Sequence, residues 1–371
     1  MIRALRRDDL PAVAALYANW VGWDVEQTTP GLVAFFTRTM FEDPHHDPEL
    51  PSLVFEDARD GVVGVLGSRT RRFALRDRTL RMACSGPLVA HPDHRSRGVG
   101  ALLLRRYLAG PQELTAADRA LDDVELMWRK LGGVTHTAAS AGWSIPVAPS
   151  QLVAGRLAQR AAGRELPPGR RLLRALDTPI ARRLAPAPRA GRTELLGPAE
   201  LIDLVRRLRR RFPIVPAYDE PYLRWLFAEL EVARIGGSVV RRLVLDERDR
   251  PVGSYVLFAA DGGLAHITQV IAGDDDVPLV MEHLLHDAAE AGAVDVRGRF
   301  EPHLLGWLRA RRCRMLRADW TVVHAREPEL VAAALSGQLL FSRLDGEWWM
   351  VPHTRAPASG APLSPAPAAP S

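Results

Sequence analysis

Cysteine is nearly absent from this chain: Cys84 and Cys313 are the only two in 371 residues. Two thiols cannot build the disulfide framework of a small secreted fold, so they read as reduced core side chains in a cytoplasmic protein. Lysine is rarer still, with Lys130 alone, so arginine carries nearly all of the positive charge. No run of about eighteen apolar residues occurs, which excludes a membrane-spanning helix. The opening Met1-Ile2-Arg3-Ala4-Leu5-Arg6-Arg7-Asp8 lacks the apolar centre of a signal peptide. A net charge of +5, from 49 basic and 44 acidic residues, is too small at this length to argue for nucleic acid. The expectation is a cytoplasmic protein whose partners include neither nucleic acid nor a membrane.

Apolar residues make up 47% of the chain, enough for well-buried cores, and the length suits two domains. The pattern in the first part predicts strands at 2–5, 52–55, 62–75, 79–90 and 113–115, with closing strands within 135–147. Helices are predicted at 12–17, opened by Asp8, Asp9 and Pro11, at 32–40, at 101–108, and at 119–131, where Gly132-Gly133 ends the run. Between the strand ending at Ala90 and the helix from Ala101 lies His91-Pro92, then Arg95-Ser96-Arg97-Gly98-Val99-Gly100. A strand, a glycine-rich turn and a new helix form an anion-binding arrangement. Glycines let backbone N–H groups approach a phosphate, the helix N-terminus favours negative charge, and arginines add paired donors.

The spacing Arg-x-x-Gly-x-Gly after a strand, within this order of elements over residues 2–147, resembles the acyl-CoA loop of the GNAT acetyltransferase superfamily. The resemblance implies that the backbone of Leu88, Val89 and Ala90 aligns with the pantetheine arm as an added strand would. It implies that Arg95, Ser96, Arg97, Gly98, Val99 and Gly100 cradle the pyrophosphate of acetyl-CoA or another acyl-CoA. It also exposes departures. Family members often carry a Tyr in L-Y-x-x-L-G-F whose hydroxyl protonates the leaving thiolate; here the run is Met127-Trp128-Arg129-Lys130-Leu131-Gly132-Gly133. The indole of Trp128 donates a hydrogen bond but is no practical acid. Leu121 stands where an Asn is expected, and 82–86 offers no carboxylate. Acyl transfer then rests on orientation and on an oxyanion donor from Val89 or Ala90 N–H, with proton removal through water.

Residues 151–192 hold ten Arg against Glu165 and Asp177. They read as a basic, partly helical connector: a solvated linker or an anion-contacting arm. After it the order of the first part returns in 193–353, but the loop equivalent to 95–100 is Ala272-Gly273-Asp274-Asp275-Asp276-Val277-Pro278. Three carboxylates would repel a pyrophosphate. Neither these acids nor His45-His46 with Asp43 and Asp47 have metal-ligand spacing, so no metal is expected. The tail 354–371, rich in Pro, Ala and Ser, reads as disordered. It argues against a C-terminal carboxylate base, which some relatives use.

The expected fold is α/β, with tandem GNAT-like domains, each a mixed, mostly antiparallel sheet flanked by helices: a GNAT domain over 1–150 and a degenerate copy over 193–353. The expected function is an acyltransferase that moves an acetyl or other acyl group from acyl-CoA to the amine of a small molecule, such as an amino sugar or nucleotide-linked sugar. The alternative is a non-catalytic CoA-binding or assembly module, and a homodimer is left open. For the acceptor, the first part offers Trp23, Asp24, Glu42, Asp43, His45 and His46, with His45 or His46 as base and Asp43 beside them. The second part offers Arg206, Arg207, Arg209, Arg210 and Arg211 for an anionic acceptor, and Tyr218, Asp219, Tyr222 and Trp225 for a sugar or amine.

Overall fold

The computed structural model describes residues 1–160, 170–233, 235, 237–311 and 313–350. Glu165, Pro167, Pro168 and Gly169 of the connector and the tail 354–371 lie outside the described residues. Seven strands come from the first part of the chain: β1 (Ile2–Ala4), β2 (Leu53–Asp57), β3 (Gly61–Leu75), β4 (Arg78–Ala90), β5 (Leu114–Ala120), β6 (Val134–Thr135) and β7 (Ala141–Pro146). The later part adds β8 (Arg192–Leu195), β9 (Ile214–Pro216), β10 (Ser238–Leu245), β11 (Pro251–Ala259), β12 (Leu264–Ala272), β13 (Asp295–Arg299), β14 (Arg314–Arg317) and β15 (Trp320–Ala325).

One sheet runs β1-β2-β3-β4-β5-β15-β6, with β9 also paired to β3; the other runs β14-β7-β13-β12-β11-β10-β8. Read from β8, the second order repeats the first, with β8, β10, β11, β12 and β13 in the places of β1 to β5. Each sheet contains one parallel pair, β4–β5 and β12–β13, among antiparallel neighbours. The place beside that fifth strand is filled from the other half of the chain. β15 pairs with β5 (Val323↔Ala116), and β7 pairs with β13 (Ile145↔Val296). Residues 141–146, which the sequence groups with 1–150, therefore complete the second sheet, and 320–325 complete the first. Trp143 anchors β7 in its adopted core: it is fully buried, and its Nε1 donates to Arg299 O at 3.0 Å. Gly298 makes the room, since a Cβ there would lie 2.6 Å from the indole ring.

Helices cover the sheets. α1 (Leu10–Val21) and α2 (Val25–Met40) pack on one face of the first sheet against Val54, Val65 and Val89. α3 (Val99–Leu108) packs on the other face against Leu53, Leu66 and Ala83, so alternate strand residues serve opposite cores. Leu103 and Leu104 of α3 are fully buried, each worth roughly 1.5–3 kcal/mol. The chain continues through α4 (Asp122–Lys130) and the connector helices α5 (Pro149–Arg160) and α6 (Arg170–Leu184). Then come α7 (Pro198–Arg207), α8 (Glu220–Val232), α9 (Val277–Glu290), α10 (Leu305–Arg311) and α11 (Pro328–Leu335). The fifth strand is longer than the sequence suggests. The alanines of 116–120 favour a helix locally, yet Ala116, Ala117 and Ala120 are buried between β4 and β15, and packing overrides propensity.

Candidate active site

The parallel pair β4–β5 is joined only over Met82↔Leu114, Ala83↔Thr115 and Cys84↔Ala116. Beyond Cys84 the two strands separate, while β4 runs on to Ala90 alongside β3. His91 N–H donates to Val63 O at 2.8 Å, which fixes the alternation of this antiparallel ladder. Val89 therefore points its N–H and C=O at β3. Leu88 and Ala90 point theirs away, into the opening. Of the two N–H groups the sequence proposes for an oxyanion, Ala90's faces the opening and Val89's does not.

The loop after β4 is preformed. Pro92–Arg97 is a 3₁₀ turn, Gly98 adopts φ +70°, and α3 starts at Val99. Gly98 is required by that left-handed conformation, not by crowding, since nothing lies within 4 Å of a Cβ there. The first N–H groups of α3, at Val99, Gly100 and Ala101, have no carbonyl a turn earlier in the helix to bond. The arginines of the loop differ. Arg97 donates to Asp57 Oδ2 at 2.7 Å and to His94 Nδ1 at 2.9 Å, which ties the loop to the β2–β3 turn. The backbone N–H of Arg59 and then Arg97 hold the Asp57 carboxyl down at about 2. Arg95 and Ser96 are exposed, and Arg95 makes no ion pair among the described residues. Val99 is a packing residue, pressed against Gly64.

At the root of the opening lies a carboxylate pair that the sequence does not reveal. The segment after β15 and α11 returns across the molecule, and Asp118 of β5 accepts the backbone N–H groups of Glu347 at 2.8 Å and Trp348 at 3.1 Å. The Glu347 carboxylate rests over Gly86, where any Cβ would overlap it, and a Cβ at Gly346 would likewise overlap the Asp118 carboxylate. Arg69 holds Gly86 as well, donating from Nη1 to its O. Burial, then the charge of Asp118, pushes the Glu347 carboxyl up to about 8 against the pull of Arg69. Burial also raises Asp118, opposed chiefly by Arg299. Trp128 is fully buried in the α3 core and packs on Gly133; its Nε1 has no hydrogen-bond partner.

Several acceptor candidates from the two halves meet. His45 stacks on Tyr222 with ring centroids 4.1 Å apart, and its Nε2 lies 3.2 Å from Asp219 Oδ2. Asp43 accepts from Arg71 at 2.6 Å and from the His45 backbone at 2.9 Å. Tyr218 donates to Asp345 Oδ1 at 2.5 Å. His45 is buried with Nδ1 unpartnered; burial, then Arg71, holds its imidazole below the ordinary range against the opposing pull of Asp43 and Asp219. Asp219 remains 42% exposed and opens the cluster to solvent. The other candidates stand elsewhere. His46 is exposed beside Phe41, Trp23 packs on Tyr17, Asp24 caps α2, and Glu42 faces Arg7. Among the arginines, Arg206 pairs with Asp203, Arg207 donates to Pro251 O, and Arg211 pairs with Asp274, so these three are engaged away from the His45 cluster; Arg209 and Arg210 are exposed.

A mixed sheet whose central parallel pair opens beside a glycine-rich helix start defines an α/β fold. Known structures share it. A GCN5-related N-acetyltransferase from Kribbella flavida aligns over 87% of this chain and 71% of its own, with a TM-score of 0.54 and 16% identity. A probable N-acyltransferase of Enterococcus faecalis aligns over 88% and 72%, with a TM-score of 0.55 and 9% identity. The Saccharomyces cerevisiae N-myristoyltransferase with bound myristoyl-CoA aligns over 88% and 78%, with a TM-score of 0.53 and 9% identity. The chain has the GNAT-type fold in tandem form. No family model and no curated protein matches the sequence. No helix among the described residues is long and apolar enough to cross a membrane.

Proposed function

We propose that this chain is an N-acyltransferase of the cytoplasm that moves an acetyl or other acyl group from acyl-CoA to the amine of a small molecule. The observation that carries the reading is the unpaired stretch of β4, with Leu88 and Ala90 turned into the opening, continuous with the Arg95–Gly100 loop. An extended pantetheine arm matches the first, and a pyrophosphate matches the second. The amine attacks the thioester carbon, a C–N bond forms, and the C–S bond breaks. Leu88 or Ala90 N–H donates to the carbonyl oxygen as charge develops there. Glu347 takes the proton that the amine loses, and the departing CoA thiolate takes up a proton in turn. The acceptor enters at Asp219, the exposed member of the cluster, beside Tyr218 and with the buried Tyr222 and His45 behind it; a carboxylate and an aromatic ring suit an amino sugar or a nucleotide-linked sugar.

The test is thiol release from acetyl-CoA and longer acyl-CoAs with a panel of amines, for the unaltered chain and for Gly98→Glu. Turnover that Gly98→Glu abolishes is the expected result. CoA binding without turnover on any amine would overturn it in favour of a non-catalytic CoA-binding or assembly module. The observation behind that second reading is Trp128, packed in the core where a Tyr acid is expected.

A further inference from the structure

The connector helices leave apolar side chains in water. On α6, Leu172, Leu176 and Ile180 are 67%, 56% and 37% exposed; on α5, Val153 and Leu157 are 55% and 59% exposed. Steps of four residues place each set on one face of its helix. The other face of α6, with Leu173, Asp177, Ala181 and Leu184, is the less exposed one. Asp177 accepts the backbone N–H groups of Ser150 at 2.8 Å and Gln151 at 2.9 Å, which fixes α5 against α6. This uses the only acid of α6 in an internal cap. Among the described side chains of α6 the surface charges are Arg174, Arg182 and Arg183; Arg174 reaches Asp261 at 3.9 Å, and the other two make no ion pair among the described residues.

A leucine stripe edged by arginines is costly to leave in solvent, and a plain spacer has no use for it. We propose that the α5–α6 pair docks on an anionic lipid surface, with the apolar stripe at the acyl-chain boundary and the arginines among the headgroups. Charge selects this occupant. A twofold contact with a second copy sets one arginine-bearing patch against an identical one, with no acid of α6 left to offset the charge, since Asp177 is used internally. A layer of anionic headgroups neutralises the arginines, and arginine stems can lie along the apolar surface with their heads in the headgroup layer. The inference departs from the expectation of no membrane partner. It does not depend on the acyl-transfer reading.

The experiment is co-sedimentation of the full chain with vesicles of phosphatidylcholine alone and of equal parts phosphatidylcholine and phosphatidylglycerol, with light scattering for oligomeric state. Binding to the anionic vesicles is expected, reduced by high salt, with little binding to the neutral ones. Leu172→Gln with Leu176→Gln and Ile180→Gln should weaken it at least about tenfold without moving the melting temperature, because these side chains are exposed. Arg182→Gln with Arg183→Gln is the second variant and should remove most of the preference for anionic vesicles. Equal binding to both vesicle types, or none, overturns the proposal. So does a dimer that the leucine variant dissociates while vesicle binding is absent, which would make the face a contact between copies. Capture of an acidic protein without vesicle binding also overturns it.

Discussion

In the first sheet the parallel pair separates after Cys84↔Ala116, and in the second it separates after His266↔Arg297. Two residues further on, the fifth strand carries Asp118 in one case and Arg299 in the other, both buried. One returning segment serves both openings: Arg299 donates to Phe341 O, Leu344 N–H donates to Thr268 O at 3.0 Å, and Glu347 lies over Gly86. The loops that follow the open strands have opposite charge. The first has Arg95, two glycines and a bare helix start; the second has Asp274, Asp275 and Asp276, with Arg211 paired to Asp274. The same fold makes the opening twice. A basic, glycine-rich loop follows the first opening and an acidic one the second, and the fifth strand places a buried aspartate at the root of one and a buried arginine at the root of the other.

The comparison breaks most easily at the first loop. Gly98→Glu puts a β-carbon at φ +70° and a carboxylate where the pyrophosphate is proposed to sit. Calorimetry with CoA should show affinity falling by about a hundredfold or more. Unchanged affinity would remove the loop from the site. Next in size is Glu347→Gln, which should lower kcat about a hundredfold while leaving CoA affinity alone. The base works deprotonated, so activity should rise with pH through about 8 and the variant should lose that limb. Stability carries the same signature with the opposite sign. The carboxyl titrates near 4.5 when unfolded and near 8 when folded, so the folded state holds the extra proton between those values. Thermal stability should fall as pH rises across that window, and Glu347→Gln should flatten the fall.

The readable parts of this molecule are local ones. Arg95–Gly100 could be recognised because a strand end, a left-handed glycine and a helix start are neighbours in the chain. Asp43, His45, Asp219 and Tyr222 could be proposed one by one, since each is an unusual polar or aromatic group beside a loop or helix start. Their convergence could not, because His45 and Tyr222 lie in different halves. The exchange of β7 and β15 was hidden for a related reason. Short apolar runs such as 141–146 and 320–325 pair equally well with either sheet, and the choice rests on tertiary fit such as Trp143 against Gly298. Glu347 was the least legible. It lies outside any strand or α-helix, just before a Pro- and Ala-rich tail, and the residue that holds it, Asp118, is 229 positions away.

A finer test asks whether Asp118 acts through Glu347. Asp118→Asn keeps an oxygen that can accept the N–H groups of Glu347 and Trp348 but removes the charge that repels the Glu347 carboxylate. The pH limb assigned to Glu347 should then move about one unit towards acid, with the plateau kcat changed by less than about tenfold. A limb that stays in place would show that Asp118 only anchors the backbone.

The smallest effect is expected in the second loop, and that smallness is informative. Asp275→Ala removes one of the three carboxylates that set the second opening apart from the first, while Gly273 stays and no arginine is gained. If the first loop alone holds CoA, the variant binds with unchanged affinity and one equivalent per chain. A second equivalent appearing on Asp275→Ala would mean that charge alone separates the two halves. The result expected instead follows from the bare helix start and from Arg95, which has no ion pair among the described residues: removing a repulsion does not supply the donors that a pyrophosphate needs.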